Sequence, residues 1–185
     1  MTALALKKIN DEVFLAEDDI VRLDRRYVDF VKEKAITNQR GRARICAHKS
    51  PDDNLHEMII AIREDSYIRP HRHHNKIESF HLIEGSADIV ILDEICTIKE
   101  VIRLSAQHNF YYRLSTPQYH TLILHSPVLV IHEITNGPFI AETSDFASYS
   151  PTENQLDEVT HFIQSIREKI NAHISTGKES SYESI

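Results

Sequence analysis

From residue 57 to residue 134 the chain is a string of short β-prone runs cut by turn signals. Apolar, β-branched stretches at 58–62, 78–83, 87–92, 95–104, 110–114, 121–125 and 128–134 are separated by Gly85-Ser86, Asp93-Glu94, Pro117 and Ser126-Pro127. Together with 66–73 this makes about eight strands with no helical segment among them, the pattern of a sandwich or barrel. It argues against a parallel α/β sheet, which needs a helix between consecutive strands.

The flanks read differently. Over residues 11–35, Val13, Phe14, Ile20, Leu23, Tyr27, Val28, Val31 and Ala35 recur at spacings near three and four, which predicts a helix. The acidic run Glu17-Asp18-Asp19 marks a possible break in it. Residues 36–55 are polar, with a short strand expected at 44–48 whose alternating face carries Arg44, Cys46 and His48. After Gly137-Pro138 the chain is irregular to about residue 150. Pro151 and Thr152 then open a second amphipathic helix carrying Leu156, Val159, Phe162, Ile163, Ile166 and Ile170 on one face. The expected division is an N-terminal helical extension at 1–40, a β-barrel at 41–150, a helix at 151–174 and a polar, disordered tail at 175–185.

At 185 residues the chain is long enough for one domain with a proper core. Its net charge of −7 argues against nucleic acid, which calls for a clustered basic face. Only the short run Arg40-Gly-Arg-Ala-Arg44 could hold a small anion. No apolar run approaches the roughly 20 residues of a membrane helix. The first residues lack the arrangement of a secretory signal, and two cysteines are too few for a disulfide framework. A cytoplasmic protein with free thiols is the expectation.

Histidine is abundant, 12 residues of 185, so its placement matters. His71 and His73 are two apart, which on a strand puts both imidazoles on one face. Glu78 opens the next run, and a turn around Asn75 would fold it back alongside. His120, after the Pro117 turn, would enter the same barrel mouth. Three imidazoles and a carboxylate suit one divalent transition metal, Fe, Mn, Ni, Zn or Co, and do not suit Ca or Mg. Pocket residues expected around it are Arg44, Arg69, Tyr112 and Arg113 as substrate contacts, with His48 and Glu133 as candidates for proton transfer. His56, His108, His161 and His173 have no supporting neighbours and read as surface residues; His74, His81 and His125 alternate away from the ligand face.

His71-x-His73, four residues, Glu78, six residues, Gly85 matches the first motif of the cupin superfamily without a change in length. Of the second motif, Pro117 and His120 remain while its glycines are missing. Tyr67-Ile-Arg-Pro-His-Arg-His73, Ile83-Glu-Gly85, Tyr112-Arg113, His120-Thr-Leu122 and His132-Glu-Ile-Thr-Asn-Gly-Pro-Phe139 resemble the WbuC-type cupin-fold metalloproteins, as do 44–48 and 146–151. The resemblance covers roughly residues 40–155. It implies a mainly β fold, a single-domain jelly-roll barrel or double-stranded β-helix with a helix at either end, and a bound metal. It also implies an association with bacterial surface-polysaccharide (O-antigen) gene clusters. It favours Glu133 over His132 as the residue facing inward. No reaction comes with it.

Three functional classes follow. The first is a metal-dependent enzyme on a small sugar-like or acid substrate, an isomerase or epimerase, or else a non-haem iron dioxygenase. The second is a non-catalytic small-molecule-binding module, and the third a barrel merely pinned by its metal. The apolar strands and the C-terminal helix are expected to supply a homodimer interface. A second titratable group in the pocket beside the metal separates the first class from the others.

Overall fold

A computed structural model of the chain describes residues 5–140 and 144–176. Two short strands come first, β1 (Leu6–Lys8) and β2 (Val13–Ala16), then a helix, α1 (Arg25–Thr37). The strands β3 (Arg42–Cys46), β4 (Leu55–Arg63), β5 (His71–His73), β6 (Glu78–Glu84), β7 (Ala87–Leu92), β8 (Ile98–Leu104), β9 (Tyr111–Leu114), β10 (Tyr119–Leu124), β11 (Val128–Asn136) and β12 (Ser144–Phe146) follow, and α2 (Leu156–Ser175) closes the chain.

The strands form two facing sheets. The larger has the order β1-β2-β3-β4-β11-β6-β9 and the smaller β12-β5-β10-β7-β8. Every pairing is antiparallel except β2 on β3. From β4 to β7 and again from β8 to β12, consecutive strands alternate between the sheets, so the chain wraps as a jelly roll. Ile62, Phe80, Ile89, Ile91, Leu122, Leu129 and Ile131 pack between the sheets as the main core.

The helices cover the outer faces. Val28, Val31 and Ala35 of α1 pack on Ala43, Ile45, Ala61 and Val130 of the larger sheet. Ile166 and Ile170 of α2 pack on Val90, Leu92, Tyr119 and Ile123 of the smaller. All residues of β7 and β10 are buried, which explains why those runs are mainly apolar on both faces. Gly85 turns β6 into β7 at φ 87°, and a Cβ there would lie 2.5 Å from the Val128 carbonyl oxygen. Only glycine tolerates both conditions.

The N-terminal region corrects the sequence expectation. The helix predicted over 11–35 is a strand at Val13–Ala16 and a helix only from Arg25. Val13 to Leu15 pair with Arg44 to Cys46, so this segment belongs to the sheet and 1–40 is not a purely helical extension. Helix α1 begins where Asp24 caps it, its carboxylate accepting from the Arg26 amide at 3.0 Å. Likewise the helix expected from 151 starts at Leu156, and β12 lies in the stretch expected to be irregular. Of the tail at 175–185, residues 177–185 lie outside the described residues. Among the described residues no helix is long and apolar enough to cross a membrane.

Candidate metal centre

Three strands bring four side chains together. β5 carries His71 and His73, β6 begins with Glu78, and β10 carries His120, which pairs directly with His71 across the smaller sheet. Asn75 takes the left-handed conformation, φ 59°, in the turn that swings β5 into β6. Asn136 of β11 clamps this turn, accepting from the Ile77 amide at 2.7 Å and donating to the Asn75 carbonyl at 3.1 Å. The ligand atoms of His71, His73, Glu78 and His120 all lie within 4.8 Å of one another.

Each imidazole is held by its Nδ1. His71 Nδ1 lies 2.9 Å from the Arg69 carbonyl, His73 Nδ1 2.7 Å from the Ser144 hydroxyl, and His120 Nδ1 3.0 Å from the Gln118 carbonyl. A proton on each Nδ1 satisfies the carbonyls of Arg69 and Gln118 and leaves every Nε2 lone pair free. The Nε2 atoms of His73 and His120 lie 3.6 and 3.3 Å from the two Glu78 oxygens. Glu78 is only 5% exposed, and its Oε1 has no hydrogen-bond partner among the described residues. A buried carboxylate facing three unprotonated nitrogens is a costly arrangement without a cation. These residues fit a divalent transition metal by number, donor type and orientation.

The electrostatics agree. Burial pushes the His71 imidazole down to about 4, with the neighbouring His120 adding to it, and burial lowers His73 as well. Burial opposes ionisation of Glu78, but His120, His71 and His73 together bring its carboxyl down to about 2. His120 is raised: burial works against its charged form, and the charge of Glu78 outweighs it.

The group opens into a cavity of about 450 Å³ between the sheets. The inner face of the larger sheet supplies its wall, Arg44 and Cys46 from β3, His56, Met58 and Ile60 from β4, Ile131, Glu133 and Thr135 from β11. His48 lies just beyond β3 and stacks on His56 with ring centroids 4.1 Å apart. The Nδ1 of His48 meets the backbone of Glu57 at 3.2 Å. Burial, then His56, lowers its pKa. Burial and the charge of Glu78 raise the Glu133 carboxyl to about 8, against the pull of Arg44.

Of the expected pocket residues, Arg44, His48 and Glu133 line this cavity. Arg69, Tyr112 and Arg113 do not. Arg69 binds the Ser150 hydroxyl and carbonyl at 3.0 and 3.1 Å and lies over the Phe146 ring. Tyr112 is packed in the main core beside Phe80. Arg113 is exposed and reaches only Ser115. Strand phase turns Arg113 outward and Tyr112 inward, but Tyr112 lands in the packed core, and Arg69, ahead of β5, is held by Ser150. His56 corrects the expectation in the other direction, because it is 4% exposed in the cavity wall and not at the surface. It shares the alternating face of Met58, Ile60 and Ile62, and that phase was the available signal. Thr135 likewise follows Ile131 and Glu133, whereas Lys76, in the β5–β6 turn, carried no signal.

Residues 23–104 match the model of a family described as a domain of unknown function, DUF6016. The match includes His71, His73 and Glu78 and stops short of His120. No curated protein matches the sequence. Among solved structures, the chain is similar to a protein from Shewanella oneidensis at 10% identity, covering 54% of this chain and 66% of that one, TM-score 0.45. It is similar to the cupin domain of Cnp3 from Schizosaccharomyces pombe at 9% identity, covering 53% and 66%, TM-score 0.42. It is also similar to the capsular polysaccharide assembling protein CapF from Staphylococcus aureus at 18% identity, covering 60% of this chain and 31% of that one, TM-score 0.47. The aligned part thus spans less than two thirds of each of these proteins. By its own strand order, with three histidines and a glutamate converging from β5, β6 and β10, the chain is a mainly β protein of the cupin fold with one helix against each sheet.

Proposed function

We propose that this protein is a metal-dependent enzyme that moves a proton on a small hydroxylated substrate, sugar-like or acid, in an isomerase or epimerase reaction. The observation that carries the reading is the cavity. The metal-ligand group opens onto it, and the same space holds two further titratable side chains, Glu133 and His48. A site that only pins a barrel has no use for an internal cavity, and a simple binding module has no use for a second acid-base group.

When bound, a divalent transition metal would supply Lewis-acid polarisation of a substrate carbonyl. Glu133, raised to about 8, exchanges a proton near neutral pH. It removes the proton from the carbon beside the carbonyl, and the C–H electron pair moves towards the carbonyl oxygen. Return of that proton by Glu133 to the neighbouring carbon, with the hydroxyl proton of the first carbon passing to the former carbonyl oxygen, gives isomerisation. Return of a proton from His48 to the opposite face of the original carbon gives epimerisation. His56 and Thr135 are buried in the same wall, and His56 Nε2 and Thr135 Oγ1 have no hydrogen-bond partner among the described residues. They suit substrate hydroxyl groups. The WbuC-type resemblance adds a place in bacterial surface-polysaccharide (O-antigen) assembly, and the reading includes a cytoplasmic homodimer.

Elemental analysis of protein purified without added metal tests the centre. The parent protein should carry about one divalent transition metal per chain and His73→Ala should lose most of it. Equal metal content in the two proteins would sink the reading.

A further inference from the structure

The basic side chains around the cavity are not equivalent. Arg40 and Arg42, near its mouth, are neutralised: Arg40 pairs with Glu12 at 2.9 Å and with Glu153 at 2.9 Å, and Arg42 pairs with Glu153 at 2.5 Å. Arg44 and Lys76 have neither a hydrogen bond nor an ion pair through their side chains among the described residues, and both line the cavity. Lys76 is half-buried, its ammonium 5.2 Å from the centroid of the Phe139 ring. An ammonium partly removed from water and in no ion pair among the described residues is held at a cost that an incoming anion offsets.

The two cations converge. Arg44, Lys76 and Glu133 line one cavity, so both cations share the space where the proposed proton transfer takes place. They come from opposite sides, Arg44 from β3 and Lys76 from the turn between β5 and β6. The chain as a whole carries −7, yet the cavity is balanced: four basic side chains line it against three acidic ones, and Glu153, beside the lining, is the counter-ion of Arg40 and Arg42. A divalent ion on the four ligands tips that balance to positive.

We propose that Arg44 and Lys76 form an anion subsite, and that the substrate is a small hydroxylated molecule bearing a carboxylate or phosphate group. The planar guanidinium of Arg44 offers paired donors to two anion oxygens, and Lys76 closes on the anion as a point charge from across the cavity. The subsite rests on the reading of this cavity as a substrate site. It deepens that reading by selecting anions over neutral sugars.

Calorimetric titration of the full-length, metal-loaded protein with three probes of equal carbon number provides the test: gluconate for a carboxylate, glucose 6-phosphate for a phosphate, and sorbitol as the neutral control. At least one anion should bind about tenfold or more tightly than sorbitol, and Arg44→Gln and Lys76→Gln should each weaken it by about tenfold or more with metal content unchanged. Which anion binds distinguishes a sugar acid from a sugar phosphate. Raising the salt concentration should weaken the anion and leave sorbitol unaffected, a measurement that needs no variant. Sorbitol binding as tightly as both anions overturns the subsite, as does anion binding indifferent to both substitutions, or no binding of any probe by metal-loaded protein. Repeating the titration on chelator-treated protein separates the two readings. Anion binding that survives metal removal and is still lost in Arg44→Gln keeps the subsite even where the metal reading fails.

Discussion

At the scale of single residues, the metal centre depends on groups that never touch the ion. Three imidazoles present Nε2 because each Nδ1 is engaged, two by backbone carbonyls of Arg69 and Gln118 and one by the Ser144 side chain. The carbonyls cannot be mutated away, but the hydroxyl can. Ser144→Ala frees the His73 ring to rotate and to change tautomer, and metal affinity should fall by about 10- to 100-fold as measured by chelator competition. An unchanged affinity would mean that strand pairing alone orients His73. The ligands themselves were legible because spacing alone carries them: two histidines at i and i+2 share a face of any strand. Lys76 and Ser144 were not. Ser144 acquires its role from a residue distant in sequence, through pairing of β12 with β5.

At the scale of elements, the two flanking helices do different jobs from those their sequences suggested. The apolar periodicity of 11–35 was real, but its first part satisfies a strand as well as a helix. Val13 to Leu15 gain backbone partners on β3, which an isolated helical turn could not match. The addition matters for the site: β2 holds the outer edge of β3, and β3 brings Arg44 and Cys46 to the cavity. Helix α2 instead lies over the sheet that bears His71, His73 and His120. Ile166 is 1% exposed at that contact. Truncating it in Ile166→Ala should cost about 2–5 kcal/mol, read from the urea midpoint at unchanged slope. A loss below roughly 1 kcal/mol would show that the site collapses around the missing atoms.

At the scale of the whole molecule, burying so many imidazoles in one fold makes stability depend on pH. In the metal-free protein His71 is lowered from 6.5 to about 4, and burial also lowers His73, His48 and His132. Between those values the unfolded chain binds protons that the native protein refuses, so stability must fall as pH falls. His120 has the opposite sign. It is raised, so its contribution is present below 6.5 and is lost as pH rises through its folded value. Glu133, its carboxyl raised to about 8, also opposes the fall, but only down to its ordinary value of 4.5. Below 4.5 the lowered His71 and the lowered Glu78 act without it. The melting temperature of chelator-treated protein, followed from pH 6.5 towards 4, should therefore drop below pH 4.5, and a flat or rising profile there would contradict the burial of these groups. Added metal should raise the melting temperature most at the upper end of this range, where fewer protons compete for the ligands.

The sequence by itself determined the class of fold and the candidate ligands His71, His73 and Glu78. Both are periodic, local properties: strand alternation, turn residues, and a fixed interval from His71 to Gly85. Only the tertiary structure decided the remainder of the cavity. Which of Arg44, Tyr112 and Arg113 faces inward depends on the phase of each strand in its sheet, and one residue of slip sends a side chain to the other side, while Arg69, outside the strands, is held by Ser150. The same assembly left Arg44 and Lys76 without partners while pairing Arg40 and Arg42. Charges distant along the chain become neighbours only when the sheets close.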